Sequence, residues 1–132
     1  MIKVSRLSFL LAIIFALCGF SSRFDIKVVQ QGHDLPSFEL SKASSIHDGG
    51  GIQVNTFLVV QRNGSEQWDY KNPVWAFELA PGSTKPLSKI IYGQVPAGFN
   101  ETTKALELIH GTHYLVVGLS PGSSGSAEFV AE

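Results

Sequence analysis

Beyond residue 21, apolar and polar side chains alternate in short runs separated by turn residues. Phe24, Ile26 and Val28 alternate with Asp25 and Lys27, and Phe38 and Leu40 are flanked by Ser37, Glu39 and Ser41. A break at Asp48-Gly49-Gly50-Gly51 precedes Ile52, Val54, Thr56, Leu58 and Val60, which period-two spacing places on one face of a long strand. Asn63-Gly64 then signals a tight hairpin, because both residues accept the positive φ of a type I′ turn. Trp75, Phe77 and Leu79 alternate with Val74, Ala76 and Glu78 up to Pro81-Gly82. Further strands are expected over 89–95, 105–109, 114–119 and 127–130, with Tyr92 to Phe99 as a crossover rich in Gly and Pro.

No window of eleven or more residues in this part of the chain carries helical spacing; the best candidate, Glu101 to Ile109, amounts to a turn or two. Seven or eight short strands at roughly ten-residue spacing predict an all-β domain, an antiparallel sandwich or barrel, and the reading taken is the antiparallel two-sheet sandwich.

The first twenty residues follow a different pattern. Lys3 and Arg6 precede an uncharged apolar stretch of 12 residues, Phe9 to Phe20. That is too short for a hydrocarbon core needing about 20 apolar residues, and it has the length of a signal-peptide core. Gly19 and Ser21 supply small residues before a cleavage point between Ser21 and Ser22. The reading is a signal helix over 1–21 and one domain over 22–132, exported to the periplasm or beyond; retention as an N-terminal anchor is the alternative. Cys18, the single cysteine, suggests a second alternative: an outer-membrane lipoprotein anchored through its lipidated thiol. Phe15 and Leu17 depart from the lipobox pattern and only Ala16 fits it, so loss of Cys18 with the leader is the rival. No thiol pair remains for a disulfide, and packing alone must hold the domain.

The 111 residues after Ser21 bury roughly 65% of the surface that the unfolded chain exposes, enough for a core without staples. They hold eight basic and eleven acidic residues, a balance of −3, spread evenly. Such a chain offers nucleic acid no basic patch. A membrane surface finds no polybasic stretch either, so membrane contact is expected only through a lipidated Cys18.

Leu108-Ile-His-Gly111-Thr-His-Tyr114-Leu-Val-Val117 resembles the corner before the sixth strand of immunoglobulin-like and fibronectin type III domains. In those domains a Leu-x-x-Gly-x-x-Tyr run turns the chain between sheets, and the tyrosine hydroxyl bonds back to upstream backbone. The resemblance implies an immunoglobulin-like sandwich with Leu108, Gly111 and Tyr114 as its structural corner and Trp75 as a core tryptophan. It covers roughly the last 60 residues, and it departs in having no cysteine pair and no early tryptophan. Tyr92-Gly-Gln-Val-Pro-Ala-Gly98 is also similar to a stretch in small exported bacterial proteins; that likeness implies a fold and no activity.

Candidate chemistry is sparse. His110 and His113 form a His-x-x-His pair that can begin a zinc or copper site, which needs three or four ligands. The plain reading is two surface histidines flanking the tyrosine corner, with His33 and His47 in loops. There is no Gly-x-Ser-x-Gly elbow and no phosphate loop, and the carboxylates Asp69, Glu78 and Glu107 stand where solvent-facing charge is ordinary. No enzyme and no cofactor is expected. Trp68 and Tyr70 lie in the polar segment 63–73 on the same parity. Outward from a hairpin they would stack on a sugar or anchor a protein partner; inward they would cap the core. Asn63-Gly-Ser65 and Asn100-Glu-Thr102 match the glycosylation sequon, and turn chemistry already explains the first. The functional expectation is a non-catalytic binding or structural module of the cell envelope with a protein or glycan partner; the alternative is a periplasmic metal-binding protein using His110 and His113.

Overall fold

A computed structural model of the chain describes residues 22–32, 34–42, 51–64 and 66–132. The leader, Cys18, His33 and His47 lie outside the described residues.

Eight strands form and no helix is present among the described residues. They are β1 (Ser22–Val29), β2 (Ser37–Lys42), β3 (Thr56–Gln61), β4 (Trp75–Leu79), β5 (Lys89–Ile91), β6 (Phe99–Thr103), β7 (His113–Ser120) and β8 (Ser123–Val130). All belong to one sheet in the order β5-β2-β1-β8-β7-β3-β4-β6. Six of the seven neighbouring pairs are antiparallel. The seventh departs from the all-antiparallel expectation. Ser22 and Arg23 pair in parallel with Ser123 and Ser124, joining the β1 side to the β8 side in one mixed sheet.

Glycine makes that junction feasible. Gly118 and Gly125 face each other across β7 and β8, and the Phe24 ring covers both. A Cβ on Gly125 would fall 2.6 Å from the Phe24 carbonyl oxygen, so any side chain there would push β1 away.

The sheet curls, because its inner side chains meet across a shared interior. Phe38 on β2 lies 5.6 Å from Phe57 on β3 and 5.7 Å from Phe129 on β8, between ring centroids. Phe57, Phe77, Trp75 and Tyr92 continue the aromatic chain at 5.1 to 5.9 Å, and Tyr114 stacks on Phe129 at 5.5 Å. Trp75 is fully buried, and its Nε1–H donates to Glu101 Oε2 at 3.0 Å, so the one polar atom of the indole is satisfied.

Four local expectations need correction. The long strand over 52–60 is interrupted at Asn55, whose N–H donates to Leu119 O while its own carbonyl accepts from Leu79. Ile52 and Val54 therefore join the main core with Phe57 and Val59, whereas Leu58 and Val60 turn to the other face of the sheet. The segment 105–109 forms no strand: Leu106 donates to Val74 O, and Ile109 N–H donates to the Tyr114 hydroxyl. Residues 99–103, where no strand was expected, form edge strand β6, with exposed Asn100, Glu101 and Thr102 set along β4 around a bulge. The two-residue turn at Asn63-Gly64 is a longer loop. It closes through Asn63 N to Gln67 O at 2.8 Å, and its positive φ falls on Glu66 at 62°.

Candidate functional site

The loop after β3 carries Trp68 and Tyr70, for which the sequence left an outward and a capping placement open. Arg62 bridges to Trp68, and Asp69 N–H donates to Gln61 O at 2.8 Å, so the segment folds back as a short hairpin. Trp68 and Tyr70 are half-buried on a second apolar cluster, formed by Leu58 and Val60 of β3, Ala76 of β4, and Leu115 and Val117 of β7. The Arg62 guanidinium sits over the indole, 4.8 Å from its centroid, and occupies that ring face. Burial raises the Tyr70 hydroxyl above its ordinary ionisation range. The pair thus caps the outward face of the three central strands.

A different surface gathers at the end of the sheet where β1 and β8 finish. The turn after β1 closes with Asp34 N–H donating to Gln31 O and sets Leu35 ahead of the buried Pro36. Tyr92, just past β5, forms the floor: it is almost fully buried, and its hydroxyl donates to Leu106 O at 2.6 Å with Val74 O at 3.4 Å. Burial, with a smaller contribution from Tyr114, holds the Tyr92 hydroxyl protonated far above the ordinary tyrosine range. Leu106 and Leu108 form one wall and Ala131 the other, enclosing a groove of about 360 Å³. Gln30 fastens that wall, with Nε2 donating to Val130 O and Oε1 accepting from Glu132 N–H.

Four large apolar side chains are exposed among the described residues: Leu35 at 56%, Leu106 at 58%, Ile109 at 61% and Val130 at 42%. Leu35 and Leu106 line the groove, and Ile109 and Val130 adjoin lining residues Leu108 and Ala131. No family model, curated protein or solved structure matches the chain.

Two of the groove's polar groups, the Gln30 amide and the Tyr92 hydroxyl, are engaged in holding the backbone, and the carboxylates of Asp34, Glu107 and Glu132 also line it. His110 is exposed in the turn before β7, and His113 opens that strand opposite Val130. Among the described residues no group of three or more His, Cys, Asp or Glu side chains is placed to hold a metal ion. In the same turn Gly111 takes φ of 80°, Leu108 packs against the core, and the Tyr114 hydroxyl accepts from Ile109 N–H at 2.9 Å. Sequence reasoning missed the groove. Its one available signal was Leu35 ahead of Pro36 together with Leu106 and Leu108, which the expected strand over 105–109 puts on one face.

Proposed function

We propose that this chain is an exported, non-catalytic binding module with an immunoglobulin-like sandwich fold, which takes a protein partner of the cell envelope at the groove between Leu35 and Leu106. The observation that carries this reading is that two of the four exposed large apolar side chains among the described residues, Leu35 and Leu106, line one groove, with Ile109 and Val130 next in sequence to its lining residues Leu108 and Ala131. Singly exposed leucines are ordinary; a group of them around a concavity marks an interaction surface.

The fold assignment draws support from strand order. The series β8-β7-β3-β4 matches the four-stranded layer of such domains and β5-β2-β1 the opposing one, with β6 as an addition beyond β4. The return bond from Ile109 N–H to the Tyr114 hydroxyl and the buried Trp75 point the same way. Export rests on the pattern of residues 1–21, with processing before Ser22. A protein partner is preferred to a glycan, because Arg62 lies over Trp68 and the Tyr92 ring is buried, which leaves neither free to stack on a sugar.

Site-specific photo-crosslinking in the exporting cell tests the reading. A photoreactive residue at position 106 should yield a discrete adduct, and the same residue at position 68 should yield none. Absence of an adduct at 106, or equal yields at both positions, contradicts it.

A further inference from the structure

We propose that the occupant of the groove is a polypeptide segment presenting an apolar side chain flanked by lysine or arginine, an inference that rests on the binding reading above. The floor and walls are apolar, built from Leu35, Pro36, Tyr92, Leu106 and Leu108. The rim carries three exposed carboxylates, Asp34, Glu107 and Glu132, and no lysine or arginine lines the groove among the described residues. The concavity beside the start of β1 has the reverse character, lined by Arg23 and Lys42 and, among the described residues, by no carboxylate. A hydrophobic pocket with one sign of charge around it selects ligands whose charge is opposite and placed beside the apolar anchor.

The same distribution argues against other occupants. A second copy docking through a two-fold contact would bring the acidic rim against itself. An anionic lipid surface would meet the same repulsion. A free hydrophobic segment without charge would gain the floor but nothing from the rim.

Two synthetic seven-residue peptides, one alternating lysine with leucine and one alternating glutamate with leucine, are titrated into the purified chain while its amide NMR shifts are followed. The lysine peptide should give saturable shifts at Gly93, Leu106 and Ala131 and bind at least tenfold tighter than the glutamate peptide. Leu106→Ser should weaken it about tenfold, and Asp34→Asn combined with Glu107→Gln at least threefold, with the amide spectrum otherwise unchanged. All three side chains are exposed, so these variants should fold. Equal affinity for the two peptides, or indifference to the paired rim substitutions, overturns the basic-segment proposal and leaves the binding surface standing. Groove amides that respond to neither peptide overturn the proposal and the binding reading together. A dimer in sedimentation that Leu106→Ser disperses overturns it in favour of a second copy.

Discussion

Leu58, Val60, Leu115 and Val117 stand on the outward face of β3 and β7, and the chain's own Trp68 and Tyr70 cover them. Leu35, Leu106, Ile109 and Val130 stand at the end of the sheet and remain in solvent. Both are apolar surfaces outside the main core, and the difference lies in what the sequence provides next to each. The central strands β3 and β7 are apolar at consecutive positions, Phe57 to Val60 and Tyr114 to Val117, as strands buried on both faces are. The 62–74 loop folds back to exclude water from the face that the curled sheet cannot enclose. At the open end the polar groups of Gln30 and Tyr92 serve to hold backbone in place, and among the described residues the leucines at 35 and 106 stay exposed. One surface is covered by the chain itself, and the other is exposed.

Breaking the cover should have the largest effect. Trp68→Ala removes a half-buried indole from the outer cluster and should cost about 2–3 kcal/mol, below the range for a fully buried aromatic. A denaturant titration reads that loss, and binding of a hydrophobic dye should rise as the cluster opens.

Next comes Tyr92→Phe, which leaves the Leu106 carbonyl without its 2.6 Å donor and should cost about 1–2 kcal/mol. The pH dependence sharpens the point. Unfolded tyrosine ionises near 10.0, while folded Tyr92 stays protonated well above that value because burial disfavours the phenolate. Its contribution is therefore complete below pH 10 and is lost as the pH rises beyond it. The phenylalanine variant should show a flatter alkaline limb in stability against pH, with Tyr70 supplying the part that remains.

A smaller effect is expected from Arg62→Ala. Loss of the guanidinium over the indole at 4.8 Å should cost about 0.5–1 kcal/mol, and tryptophan emission should shift as the ring face is wetted. Smallest of all is Leu106→Ser, which should alter stability by no more than about 0.5 kcal/mol because the side chain is already in water. A large loss there would mean that the end belongs to the core.

The elements legible in the sequence are those whose pattern follows from burial on one face. Phe24 and Ile26 on β1 and Phe38 and Leu40 on β2 alternate with polar neighbours, Trp75 and Phe77 on β4 alternate with smaller Val74 and Ala76 and with Glu78, and all six are buried. The all-β class follows from these runs together with the glycine and proline spacing. β6 was hidden because Asn100, Glu101 and Thr102 are exposed on an edge, where pairing to β4 rather than side-chain burial makes the strand. The assignment of faces on β3 failed because four consecutive apolar residues carry no period from which to choose a side. The parallel junction of β1 and β8 depends on the close approach of Phe24 to Gly118 and Gly125, three residues distant in sequence that no local pattern connects. The groove was equally hidden. Leu35, Leu106 and Leu108 become a surface only when the turn after β1 and the segment before the tyrosine corner meet above Tyr92.

Methyl NMR of the chain in the presence of a soluble paramagnetic agent tests most directly whether one apolar surface is covered and the other open. The methyl groups of Leu58, Val60, Leu115 and Val117 should relax as slowly as those of buried Val59 and Val116, while those of Leu35, Leu106 and Ile109 should relax several-fold faster. Fast relaxation at Val60 and Val117, or protection at Leu35 and Leu106, would contradict the account.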